Sequence, residues 1–384
     1  MKLYSLACIG LLLAGALAAC DTGVKLVGPA AEHCGTAPLF AVLPVAMSDI
    51  DIITVFGGVD GPGHTLPTPH AGIFLRTEGA AVSAPGAMQV TRLRRTTYVA
   101  SPNRQGKTDY SVEFQICKEV SGWFGHLTTL ASSIPVPAKD WKECETYSTA
   151  LETIESCTAK PDGLLVTAGQ SLGTSGLSIA LGLMALDFGL MDSRVKHQYV
   201  AEWRMPDPSL RAVCAWDKFD ASVTTMLYSK LGNRSRPSTV PAGEPRCGTM
   251  QVDIAGTAKG VWALPSETRP IAGNETAYLA LVNYPYRPQD QLALSIGPAS
   301  LSPGVAVVTR ASTGRVNRPF EQVTNDGLIY CYGPDDAQAP GRFWFIQLTA
   351  SNALSVRNVF GSPTNLCQAS PTTWTMVGAT SFVR

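Results

Sequence analysis

Chain breakers dominate this sequence. Thirty-five glycines and 27 prolines are spread through 384 residues, and between them lie short runs rich in Val, Thr, Tyr and Phe. Runs of that length and composition, closed by turn residues, predict strands. The expected fold class is therefore mostly β, with antiparallel strands and many turns. "STALETIES" (148–156), short and acidic on one side, is the clearest helical stretch. Length predicts two domains, and "RMPDPSLRAVC" (204–214) carries the Pro/Asp turn signals of a boundary. The division is a first β domain over 41–203 and a second, an antiparallel sandwich or barrel, over 204–384.

The N-terminus sets the compartment. "MKLYSLACIGLLLAGALAAC" has an early lysine, an apolar run too short to span a bilayer comfortably, and then Leu17-Ala18-Ala19-Cys20. This resembles the bacterial lipobox, which implies a signal peptide over 1–19, cleavage before Cys20, and acyl chains on Cys20 that anchor the protein to a membrane of the cell envelope. Residues 20–40 then form a tether. An ordinary signal peptide cut after Ala19, with Cys20 free, is the alternative. The choice between inner and outer membrane stays open.

An exported chain meets oxidising conditions. With Cys8 lost in the signal and Cys20 lipidated, Cys34, Cys117, Cys144, Cys157, Cys214, Cys247, Cys331 and Cys367 remain, an even number suited to disulfides. None lies in a C-x-x-C pair, which argues against a thiolate metal site. Cys144 and Cys157 are close enough to bracket one local loop or short helix. Formal net charge is zero and no block of like charges occurs, so the electrostatic footprint of a nucleic-acid binder is missing.

Several segments between residues 55 and 195 fall in an ordered series: "PHAGIFL", "VSAPGAM", "GWFGHLTTL", "GLLVTAGQSLGTSG" and "LMALDFGLMD". The series resembles the lysostaphin/LytM-type zinc endopeptidase domain, the duplicated-hybrid-motif β fold of peptidoglycan hydrolases and their inactive relatives. That resemblance implies that His70 stands at the family's first zinc-binding histidine, His126 at its second-shell or catalytic histidine, and Asp187 at a metal-binding histidine. Phe74 stands where the family has a metal-binding aspartate, and Ala185 where it has a histidine usually assigned as base. The three-ligand site is thus not intact.

A catalytic zinc takes three protein ligands and one open position for water. His64, six residues before His70 across a Pro-bearing turn, is the candidate to complete a His64, His70, Asp187 set with His126 as base. Against this stands the plainer reading in which these are hydrogen-bonded residues packing a cleft whose catalytic groups are gone.

Two other motifs reduce to structure. "TAGQSLGTSG" lacks the Gly-Lys-Ser/Thr ending of a phosphate loop, and Ser171 has Gly-x-Ser-x-Gly spacing without a Ser-Asp-His order to support it. In the second domain, Trp262, Tyr332 and Trp344 suit either a core or an aromatic ligand face that stacks on sugars.

The leading expectation is a lipid-anchored envelope protein whose peptidase-like domain binds envelope material such as peptidoglycan, or a partner protein such as a cell-wall hydrolase, without catalysis. A divergent zinc endopeptidase acting on peptidoglycan cross-links or another envelope peptide is the second reading, and a purely structural envelope component the third.

Overall fold

The computed structural model describes residues 28–59, 64–136, 140–148, 152–176, 178–180, 183–234, 236, 241–271, 275–297, 299, 301–333, 341–361 and 366–384. The expected signal peptide over 1–19 and the lipid site expected at Cys20 lie outside them. Two antiparallel sheets account for most of the regular secondary structure, as the strand-forming runs predict. Among the described residues no helix is long and apolar enough to cross a membrane.

The first sheet has 13 strands. In chain order they are β1 (Ile50–Ile53), β2 (His70–Leu75), β3 (Ala80–Ser83), β4 (Met88–Ala100), β5 (Thr108–Gln115), β6 (Val120–Leu130) and β7 (Lys142–Ser148), then β8 (Thr153–Ala159), β9 (Leu165–Val166), β10 (Ser171–Ser175), β11 (Ser178–Ala180), β12 (Leu183–Asp192) and β13 (Ala212–Val213). The main path runs β1-β2-β12-β6-β5-β4-β8-β7. Side chains alternate across each strand, and here the alternation separates a core from a groove. Ala71, Ile73 and Leu75 of β2, Leu186, Phe188 and Leu190 of β12, and Phe124 and Leu127 of β6 face the core. Phe188 is its centre: it stacks on Phe124 at 4.5 Å and meets Trp216 edge-on at 5.4 Å.

The first core continues past the turn at 204–214. β13 pairs with β12, and Trp216, Phe219, Val223 and Leu227 join the same apolar cluster. Val223 and Leu227 come from the short helix α2 (Ala221–Tyr228), which follows α1 (Asp207–Arg211). The Cys214–Cys247 disulfide fastens this segment.

The helical expectation for residues 148–156 is overturned. Thr153–Ala159 is strand β8, paired with β7 on one side and β4 on the other; residues 149–151 lie outside the described set. Cys157 and Ala159 are buried on one face of the strand and Ile154, packed on Tyr98, on the other, so pairing with two neighbours overrides local propensity. The Cys144–Cys157 bridge crosses from β7 to β8. The other links are Cys34–Cys117 and Cys331–Cys367, so all eight cysteines from Cys34 to Cys367 are paired.

The second sheet has eight strands: β14 (Gly260–Ala263), β15 (Tyr278–Asn283), β16 (Gln291–Ile296), β17 (Gly304–Thr309), β18 (Tyr330–Tyr332), β19 (Arg342–Ala350), β20 (Ala353–Phe360) and β21 (Thr380–Val383). Its order is β17-β16-β15-β14-β21-β20-β19-β18, and all eight contribute to buried clusters. It curls like a barrel that stays open between β17 and β18. β15 shows why its sequence is almost continuously apolar: Leu279 and Leu281 point into the curl, while Tyr278, Ala280 and Val282 pack with Val55, Val59, Leu66 and Tyr199 from the first body. A strand covered on both faces loses the polar half of the usual alternation.

Trp262, Tyr332 and Trp344 are each 0% exposed. They fill the interior of the curled sheet, so the aromatic ligand face considered from the sequence does not exist. The Trp262 indole donates to the Ala258 carbonyl at 2.9 Å and the Tyr332 hydroxyl to the Arg318 carbonyl at 2.6 Å. Trp344→Ala is expected to cost about 3–5 kcal/mol, the range for emptying a buried aromatic site. Urea unfolding checks this; a cost below about 1 kcal/mol would show that the side chain is not part of the core.

Candidate functional site

The groove face of the first sheet is built where β2, β12, β6, β5 and β4 run side by side. His70, Gly72 and Phe74 of β2 carry one row of positions. Pairing sets Gly189 opposite His70 and Trp123, and Asp187 opposite Gly72 and Gly125. Large and absent side chains therefore alternate in a checkerboard. Asp187 is flanked by two glycines, and the Trp123 indole lies across Gly189, where an added Cβ would sit 2.2 Å from the ring. Glycine at 189 is thus a condition for Trp123 and His70 to occupy this surface, with ring centres 6.0 Å apart.

His126 reaches the site through a β-bulge. Between Tyr110↔Leu127 and Val112↔Phe124, β6 carries one residue more than β5, and His126 takes φ +64°, a conformation that non-glycine residues adopt uncommonly. The extra residue lets Gly125 and His126 both line the groove while Phe124 and Leu127 stay in the core. A bulge that re-aims a side chain at a cost in backbone strain is a frequent feature of functional sites. The Ser175 hydroxyl secures the strained turn by donating to the His126 carbonyl at 2.6 Å.

Asp187 joins the two histidines. His70 Nε2 lies 3.4 Å and His126 Nε2 3.3 Å from Asp187 Oδ2. His126 Nδ1 is 2.6 Å from Asp109 Oδ2, so this ring lies between two carboxylates. Beyond Asp109 the network continues: the Tyr98 hydroxyl donates to it at 3.3 Å, Arg104 donates to Tyr98 at 2.8 Å, and Arg104 grips Glu152 through two bonds of 3.1 and 2.6 Å.

The two histidines differ in charge. Burial pushes the His70 pKa down to about 4, against the pull of Asp187, so at neutral pH it is an uncharged imidazole. Burial also opposes charge on His126, but Asp187 and the hydrogen bond to Asp109 raise its pKa well above the usual value. Burial works against the Asp187 carboxylate too, and the adjacent His70 and His126 hold its pKa below the ordinary range. At neutral pH His126 is an imidazolium. In that form it donates hydrogen bonds from both ring nitrogens, towards Asp109 and Asp187.

Of the residues singled out from sequence, the structure brings His70, Asp187 and His126 together. His64 is exposed and meets His70 edge to face, with ring centres 5.5 Å apart. Phe74 sits on the groove face with the Arg234 guanidinium 5.5 Å from its ring centre, and Ala185 is buried opposite it. Ser171 is part of strand β10, and its glycine-rich segment forms a ladder with β3 and β6. Asp109, Tyr98, Arg104 and Trp123 were missed. Only register brings them here, since Asp109 and Asp187 lie far apart in the chain.

Zinc can be tested against these donors. Tetrahedral ligands about 2.0–2.1 Å from zinc are about 3.3–3.4 Å from one another, and the His70–Asp187 separation of 3.4 Å fits one such edge. Phe74 and Ala185 carry no lone pair, and His64, the third donor expected from sequence, is exposed with its ring centre 5.5 Å from that of His70. Among the described residues, the groups with three ligand atoms mutually within 4.8 Å are Cys34, Cys117, Glu119 and Cys214, Asp217, Cys247. Each is built on a disulfide whose sulfurs are not thiolates. Among the described residues, His64, His70, Asp187 and His126 form no such group.

The site opens into a groove of about 950 Å³, lined on the far side by Arg92, Arg94 and Lys160. No known family model matches the chain, and no curated protein matches it.

A histidine whose pKa is raised by folding stabilises the fold below about pH 6.5 and loses that effect as pH rises through the folded value. His70 acts oppositely: its lowered pKa weakens the fold as pH falls from about 6.5 towards 4. Asp109→Asn removes one of the two charges that hold the His126 proton. Imidazole resonances followed by NMR should show His126 charged at pH 7 in the native chain and titrating at lower pH in the variant. A native His126 that titrates near pH 6.5 would contradict the arrangement.

Proposed function

We propose that the chain is a lipid-anchored envelope protein, held by acyl chains on Cys20, whose first body binds a peptide segment of envelope material or of a partner protein without hydrolysing it. The carrying observation is the groove: about 950 Å³, with a rigid polar end and a donor set that stops short of a metal site. In this reading the fold is a degenerate relative of the lysostaphin/LytM type. Support comes from His70 and Phe74 sharing one strand face, Asp187 on the adjacent strand and His126 on the next.

A cleft that keeps its shape without its catalytic ligands retains the capacity to bind. His126 and Asp187 then act as fixed polar contacts. Their mutual charges orient them before a ligand arrives, which lowers the ordering cost of binding.

Two measurements test this. Zinc titration against a chromophoric chelator is expected to show no tight site in the native chain and a gain of at least tenfold in affinity for Phe74→Asp, which supplies a carboxylate on the face shared with His70. One tightly held zinc in the native chain, lost in His70→Ala, would favour the endopeptidase instead. Co-sedimentation with purified peptidoglycan sacculi is expected for the native chain and is expected to be lost in Ser111→Trp, which fills the groove floor. Equal sedimentation of both would show that the groove is not the binding surface.

A further inference from the structure

Trp123 lies flat on the sheet. Its partner on β12 is Gly189, and a Cβ built at Gly189 would meet Cζ2, Cη2 and Cε2 of the indole at 2.2, 2.3 and 2.4 Å. Three ring atoms at nearly one distance from that point mean that it faces the plane of the six-membered ring. An edge-on approach would leave the two neighbours of Cζ2 much farther away. The Gly189 backbone therefore carries one face of the indole, and the other face turns outwards. Trp123 is partly exposed and lines the groove, and the His70 ring stands beside it at an interplanar angle of 74°.

A flat aromatic ring on the floor of an open polar groove is a surface on which a pyranose ring stacks. The C–H groups on one face of the sugar carry slight positive charge and lie against the negative π face of the indole. Hydroxyl groups around the sugar rim then need polar partners. Glu113 stands opposite Trp123 on β5, and Ser121 follows on the same face of β6; a carboxylate accepts from hydroxyls and a serine can donate or accept.

Beyond Glu113 the groove turns positive. Arg92 Nη1 and Arg94 Nη2 lie 3.6 and 3.8 Å from the same Glu113 oxygen, too long for hydrogen bonds, and Lys160 lines the groove with them. Three cations there face one carboxylate, so positive charge is in excess. Both guanidiniums are half-exposed, at 42% and 47%, and keep donors for a ligand. Because they reach back to Glu113, on the strand next to that of Trp123, they stand about one to two strand spacings from the indole, about 5–10 Å. One sugar ring with a substituent covers that span.

We infer that the groove binds an acidic sugar, its pyranose ring on the outer face of Trp123 and its carboxylate turned towards Arg92 and Arg94. This rests on the binding reading above and adds a sugar subsite to the peptide segment named there. Guanidiniums suit a carboxylate, which they bind through paired, charge-assisted hydrogen bonds. Trp123 supplies contact area at little ordering cost, since its ring is already laid on Gly189.

Titration of the full chain with N-acetylmuramic acid and with N-acetylglucosamine, followed on the indole N–H resonances, provides the test. The two sugars share a ring and differ in the lactyl carboxylate of the first. The acid is expected to shift the Trp123 resonance, identified by its loss in Trp123→Phe, and to leave that of Trp203, exposed outside the groove lining, unmoved. Its affinity should exceed that of the neutral sugar at least tenfold. In the double variant Arg92→Gln, Arg94→Gln that advantage should vanish while the Trp123 shift persists, with a thermal melt matching the native chain. No Trp123 shift with either sugar would overturn the inference, and so would equal affinity for both in the native chain. Sacculus binding lost in Ser111→Trp, without a Trp123 response to either sugar, would leave the groove reading standing and remove this one alone.

Discussion

Asp187 is the point on which the site depends, and its position is a consequence of backbone pairing. β12 is held by β2 on one side and β6 on the other, and in both registers the residue opposite Asp187 is a glycine. Across these two glycines the carboxylate has no side chain directly opposite it; a Cβ at 125 would only just touch the Asp187 Cβ, at 3.4 Å. One position further along, the gap is at Gly189 and the bulk is on its neighbours, His70 and Trp123. A shift of one residue in either pairing would exchange core and groove faces along the strand. The apolar face of β12, with Phe188 at the centre of an aromatic cluster, is what prevents that shift.

The charges follow from this placement. Burial opposes ionisation of all three groups around Asp187, and only mutual pairing sustains it. The charge settles on His126 because that ring has a carboxylate on each nitrogen, whereas His70 has one carboxylate at 3.4 Å and a second histidine beside it. The bulge at His126 is the backbone's contribution. It spends conformational strain to aim one ring between two acids, and the Tyr98–Arg104–Glu152 chain behind Asp109 keeps that acid in place.

The curled second sheet supports the first body through an apolar contact and keeps Trp262, Tyr332 and Trp344 in its own interior. The shared cluster around Tyr278, Ala280 and Val282 with Val55 and Tyr199 buries the outer face of β15. Glu275, which precedes that strand, accepts a hydrogen bond from the Leu66 amide at 2.7 Å. Leu66 is close in sequence to His64, so the second sheet helps to fix the turn that leads into β2.

The sequence by itself determined the strand content, because short β-branched and aromatic runs between glycines and prolines have few other ways to bury their apolar side chains. It also determined the pool of paired cysteines and pointed to His70, His126 and Asp187 as members of one site. It was silent on Asp109, Trp123 and the Arg92–Arg94 pair, since nothing local distinguishes them from other strand residues. It misread residues 148–156, where pairing with two neighbouring strands outweighed an acidic, helix-like composition. Whether Trp262, Tyr332 and Trp344 faced a ligand or a core was likewise a matter of sheet curvature, which no local pattern encodes. Tertiary structure alone decided the register of β2, β12 and β6 and the bulge at His126. Those depend on contacts between residues far apart in the chain, and they turn a set of scattered polar residues into one groove.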